Sequence, residues 1–350
     1  MRPARRRGVT LLEVLITIFI LAIGLLALLV LFPLGALEMG RALKDDRCAS
    51  SAALADAIAQ AQNIRTDTFV TSDATVLNSF TNPFSMMVPS TTGMTLPATP
   101  NTPSYGVYVD PWGYLVDGPG TATGEFLGQW PPPPTAGPLT TPGIRRRSIT
   151  LMNWSARPGS PSSLTTAECY RWCTLLDDIY FKNDGTPDLT TGGIQRGCRY
   201  TWAWLVRQAT AGVPSPAQVY IIVYQDRDTT TSPGDKTTYP VVPGTGVSGS
   251  NTVTLDYSTL GTPPPMKVGR WILDTTQWNV SPYGDPVTKN GPVPGYFYRV
   301  VNYSDDSTTM HMQLDLETHL QNPAGLSAQA IVVMENVAEV IYKGQVFSVP

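Results

Sequence analysis

Glu13 is the only ionisable residue in an apolar run from Val9 to Leu37. An ionised carboxylate costs about 2.5–3.5 kcal/mol at the centre of a membrane helix, and less near the interface, so Glu13 asks for a partner. Four arginines (Arg2, Arg5, Arg6, Arg7) and then Gly8 stand directly before the run.

Other residues that could do chemistry point less far. Cys169 and Cys173 are one helical turn apart, and Cys198 precedes a strand-like stretch. A disulfide from Cys198 to either would pin helix to sheet, and buried thiols are the alternative. Zinc would need a fourth nitrogen or sulfur ligand, and neither His311 nor His319 is near in sequence. Oxygen-rich stretches, Asp177-Asp178 with Asn183 to Asp188, and Asp226, Asp228 and Asp235, lack the spacing of an EF-hand loop. Turn formation by Asn183-Asp184-Gly185 accounts for the first. No nucleophile-elbow, phosphate-loop or paired-carboxylate motif is present, so neither enzyme activity nor a cofactor or metal is expected. A formal net charge of −3 gives no reason to expect nucleic acid as a partner.

The element that must position Glu13 is the apolar run itself, longer than the roughly 20 residues that span a bilayer. The arginines before it should hold the N-terminus in the cytoplasm and send the rest outward. A secretory signal peptide would have a shorter apolar core and no carboxylate. A plain signal anchor fits the length but leaves Glu13 unexplained.

The stretch Arg7-Gly8-Val9-Thr-Leu-Leu-Glu13-Val-Leu-Ile resembles the class III signal of type IV prepilins and type II secretion pseudopilins. The resemblance implies that prepilin peptidase cuts after Gly8 and that the apolar helix is retained. Val9 then becomes the new N-terminus, a position usually methylated, although Phe is commoner there than Val. Glu13 becomes the fifth mature residue, whose carboxylate neutralises the α-ammonium of a neighbouring pilin. The block Ala22-Ile-Gly24-Leu-Leu, with Pro33 late in the span, looks like the PilV-type minor pilins over about the first 60 residues.

Further elements follow from pattern. Pro33 lacks an N–H and should kink or loosen the helix. The pattern resumes from Leu43 to Arg65, with Leu54, Ile58 and Ala61 as a stripe to pack on a sheet. Tyr105 to Val116 reads as two short strands about an Asp110-Pro111-Trp112-Gly113 turn, and Arg145-Arg146-Arg147 as a solvated run opening a strand at 149–152. Pro131 to Pro134 reads as a short polyproline II element. Leu164 to Phe181 has helical spacing. Strands are expected at 200–207 and 219–225 as a hairpin, then 251–257, 267–274, 296–303, 309–317, 330–335 and 339–342.

The expected fold class is α+β, a long N-terminal transmembrane helix continuing into a C-terminal head built on antiparallel β-sheet. The expected organisation is a leader over 1–8, a helix over 9–65 with the membrane span at 9–37, and an extracytoplasmic β-rich head over 66–350. The reading is a structural filament subunit, a minor pilin or pseudopilin, in a bacterial inner membrane with one span. The rival reading is a membrane-anchored, adhesin-like binding module.

Overall fold

The computed structural model describes residues 11–61, 64, 106–113, 126–128, 143–147, 172–179, 181–184, 186, 197–208, 217–227, 236–280 and 291–347. The chain divides into two units, residues 1–49 and residues 50–350.

Helix α1 (Leu11–Ala61) is one 51-residue element, with Pro33 inside it. Proline costs it one hydrogen bond, to the carbonyl four residues earlier, without ending it. Its apolar first part is long enough to cross a membrane, and none of that segment is buried. In the second unit the helix turns small side chains inward: Ser51, Ala52, Ala55 and Ala59 are buried. This corrects the expected stripe, since Leu54 and Ile58 are only part-buried and Ala61 is exposed. The Trp204 indole fills the space against the helix, and a small residue beneath a large ring brings backbone and ring together: Trp204 Nε1 donates to the Ala55 carbonyl at 3.2 Å.

The second unit contains two sheets. The first is formed by β1 (Val107–Val109), β2 (Phe126–Leu127), β3 (Ile144–Arg147), β4 (Tyr200–Gln208), β5 (Ala217–Gln225) and β12 (Val337–Phe347), in the order β12-β5-β4-β1-β3-β2. β4 and β5 form the expected hairpin. The pairing is antiparallel as expected except between β1 and β3, which run parallel. β4 alternates Trp202 and Trp204 with Ala203 and Leu205, and all four are buried. A strand covered on both faces reads as a near-continuous apolar run. Trp204 meets α1, while Leu205 approaches Gly295, where an added Cβ would lie 3.1 Å from Leu205 Cδ2 and 2.6 Å from Ile144 Cδ1. Gly295 also has φ +72°, so position and conformation both require glycine.

The second sheet has β6 (Lys236–Pro240), β7 (Thr252–Asp256), β8 (Trp271–Asp274), β9 (Tyr296–Asp306), β10 (His311–Leu316) and β11 (Ala330–Met334), in the order β6-β11-β8-β9-β10-β7. Just past β6, Val241 bridges Leu255, and Val242 N–H donates to the Thr254 carbonyl at 2.9 Å. These contacts bring the last strand back to the first, so the sheet closes into an antiparallel barrel. Closure removes strand edges. Its interior holds Val253, Leu255, Ile272, Tyr298, Leu314 and Ile331. Along the chain the barrel is inserted between β5 and β12, two neighbours in the first sheet.

Three expectations are corrected locally. The helix expected to reach Phe181 is gone by Thr174, which bridges Thr201 of β4 as a strand residue. Cross-strand pairing there outcompetes local helical propensity. β8 begins at Trp271 rather than at 267, because Lys267 to Arg270 form a turn with Gly269 at φ +85°. Arg145 to Arg147 are β3 itself. The strand expected at 149–152, the polyproline segment and the strand expected after Gly113 lie outside the described residues.

Candidate assembly site and the buried charges of the head

Glu13 lies in the first turn of α1 and is exposed. Thr17 Oγ1 donates to the Glu13 carbonyl at 2.6 Å, keeping that hydroxyl satisfied within an apolar stretch. Around and beyond Glu13 the helix exposes Leu12, Leu15, Phe19, Leu26, Phe32 and Leu43 among others, each more than half accessible. Exposed apolar surface on this scale marks contact with lipid or protein. Gly8 and Val9 lie outside the described residues.

The head contains a charge cluster that sequence reasoning missed. Asp110 is fully buried after β1 and opens a short helical turn, Pro111 to Gly113. Its Oδ1 accepts the Gly113 N–H at 3.1 Å, a side-chain cap with Pro at the first helical position. Arg146 of β3 donates to Oδ2 from Nε (3.2 Å) and Nη2 (3.0 Å). Arg227, just past β5, donates from Nη1 to Oδ1 (2.8 Å) and from Nη2 to Oδ2 (2.6 Å). Both guanidinium groups are nearly fully buried, and Arg227 stacks 4.1 Å over the Tyr224 ring. The Tyr224 hydroxyl bonds the Tyr108 hydroxyl, and burial pushes the Tyr108 phenol well above its ordinary value. A carboxylate, two guanidinium groups and two phenols thus join β1, β3 and β5. They are sealed from solvent, which suits them to fixing strand placement. Strand alternation held the signal: Ile144 and Arg146 share a face, and Ile144 is buried.

The expected cysteine bridge is not made between Cys173 and Cys198; both are buried, and no disulfide joins them. The Thr174–Thr201 bridge sets the antiparallel register so that Cys173 faces Trp202, well along β4 from Cys198. Cys169 lies outside the described residues. The Asn183–Asp188 stretch forms a turn where it is described: Asp184 Oδ1 accepts Thr186 N–H at 2.9 Å and Thr186 Oγ1 at 2.6 Å. These bonds hold the Asp184 carboxyl below its ordinary value. Asp178 Oδ2 takes the Arg199 N–H at 2.7 Å, and Asp226 faces Arg199 Nε at 3.6 Å. Among the described residues no three His, Cys, Asp or Glu side chains are placed to hold a metal ion.

Fold and site together define an α+β protein whose exposed N-terminal helix suits anchoring to a membrane by a single span. Residues 3–29 match the family model of the prokaryotic N-terminal methylation motif. That match supports a class III signal peptide of the type IV pilin and pseudopilin kind, and with it a pilin-type function. The motif implies, in general terms, processing by prepilin peptidase and assembly with other pilins. No curated protein and no solved structure matches the chain.

Proposed function

We propose that the chain is a minor pilin or pseudopilin, a structural and non-enzymatic subunit of a type IV pilus-like or type II secretion filament. The observation that carries this reading is the unburied apolar surface of α1 with Glu13 in its first turn, within the methylation motif. Prepilin peptidase cleaves after Gly8 on the cytoplasmic side. Val9 then carries an α-ammonium at the start of an apolar helix. Extraction into a helical bundle buries that cation, and Glu13 of one subunit neutralises Val9 of its neighbour. The head faces the outside, in keeping with the arginines that precede the span.

Glu13→Leu separates a filament subunit from a simple anchor. An anchor loses nothing but an unfavourable charge and keeps its membrane insertion. A filament subunit is still cleaved after Gly8 but loses a buried partner. Crosslinking to co-assembling pilins should therefore fall sharply while the processed-to-unprocessed ratio on an immunoblot holds. Wild-type crosslinking by the processed variant would overturn the role of Glu13.

A further inference from the structure

The head has a second fully buried aspartate whose surroundings are the opposite of those of Asp110. Asp274 ends β8 and is 2% exposed. Its Oδ1 accepts the Thr276 N–H at 2.9 Å and the Thr276 hydroxyl, and its Oδ2 accepts Asn322 Nδ2 at 3.1 Å. Every one of these partners is neutral. From β9 it is faced by Tyr296, its cross-strand partner, and by the Tyr298 phenol, and from β11 by Ile331. The Arg207 guanidinium stacks 4.0 Å over Tyr296, but it gives its N–H groups to Gln218, Tyr220 and the carbonyls of Pro294 and Gly295. Among the described residues no cation bonds Asp274. An isolated buried carboxylate is expensive, and neutralisation is the usual escape. Burial accordingly pushes the Asp274 carboxyl above its ordinary value, against the hydrogen bonds that favour its charge.

A second observation concerns Asn322, which is 5% exposed and whose Oδ1 is buried without a hydrogen-bond partner. The two ends of an amide have the same shape. A proton on Asp274 Oδ2 is met by Asn322 turned end for end, which gives the orphan carbonyl a donor. Asn322 belongs to the 317–329 segment, tied to the barrel at other points. Gln321 N–H donates to the Tyr298 hydroxyl at 2.7 Å, and Gln329 N–H to Thr276 Oγ1 at 3.0 Å. Thr276 is in turn held by Asp274, so one carboxyl touches two of the ties.

We propose that Asp274 is a neutral, proton-carrying acid whose loss of that proton unlatches the 317–329 segment from the end of the barrel. A group whose folded-state affinity for its proton is raised stabilises the fold fully below its unfolded pKa. That contribution is lost as pH rises through the folded pKa. The latch is therefore closed in acid and loosens as pH rises above the ordinary aspartate value of about 3.9.

Hydrogen exchange measured by mass spectrometry on the full chain in detergent tests this across a pH series corrected for intrinsic exchange. Protection of peptides covering 317–329 should fall by up to about tenfold per pH unit from the ordinary aspartate value of about 3.9 up to the folded pKa of Asp274, and level off above it. Peptides from β4 and β5 should not follow. Asp274→Asn, which keeps the shape without the titration, should hold the segment protected at every pH. Flat protection in the wild type overturns the proposal, as does the same slope in β4 and β5 peptides or in Asp274→Asn. If that variant does not fold, the wild-type slope alone decides.

Discussion

The Arg146 guanidinium lies inside the first sheet against the Asp110 carboxylate, with Nη2 3.0 Å and Nε 3.2 Å from Oδ2. The two residues belong to strands and turns 36 positions apart, and β1 and β3 are the parallel pair of that sheet. Asp110→Ala should therefore cost about 3–5 kcal/mol, because buried positive charge loses its counter-charge. Thermal or denaturant unfolding of the purified protein measures it. A loss below about 1 kcal/mol, as for an exposed pair, would show that the cluster does not hold the sheet.

Gly113→Ala should give a defect of the same kind without touching a charged residue. An added Cβ would lie 1.6 Å from Arg146 Nη2 and 2.4 Å from both Arg227 Nη2 and Asp110 Oδ2. Either the guanidinium groups or the helical turn must move. Combined with Asp110→Ala, the double variant should lose less than the sum of the two single losses, since both break one cluster. Strict additivity in a double-mutant cycle would contradict the shared origin.

Lys343 and Asp56 make the contrasting pair, 3.5 Å apart and only partly covered, with side chains 30% and 23% exposed. Lys343→Ala should cost no more than about 1 kcal/mol in the same unfolding assay. A larger loss would mean that this bond, rather than the small-residue packing, secures α1 within the second unit.

That packing can be tested directly at Ala55, which is fully buried beneath Trp204. Ala55→Leu should destabilise the second unit by about 1–3 kcal/mol through overpacking. Trp204 fluorescence should shift as the indole leaves the Ala55 carbonyl. An unchanged melt and spectrum would refute the close approach.

The parts of this architecture legible in the sequence are those set by local pattern. The apolar run announced α1, and the alternation at 200–207 and 219–225 announced the β4–β5 hairpin. What escaped was decided by residues far apart. Arg146 is buried because Asp110 and Arg227 meet it, and three adjacent arginines look solvated unless strand alternation is applied to them. Thr174 leaves helical geometry because Thr201 offers a strand partner. Leu54 and Ile58 looked like the packing stripe, but a sheet bearing Trp204 needs alanine opposite it. Barrel closure was invisible for the same reason, resting on non-local contacts of Val241 with Leu255 and of Val242 with Thr254. At the candidate site, Glu13 was legible because a lone carboxylate in an apolar run is costly wherever the run ends up.

The central claim is that this helix is a processed pilin-type helix, and the mature N-terminus tests it most directly. Intact mass and N-terminal sequencing of protein extracted from membranes of cells containing prepilin peptidase should show a chain beginning at Val9. The same protein from cells lacking the peptidase should keep Arg2 to Gly8. A chain still beginning at Met1 or Arg2 in the presence of the peptidase, or one cut beyond residue 30, would contradict the account.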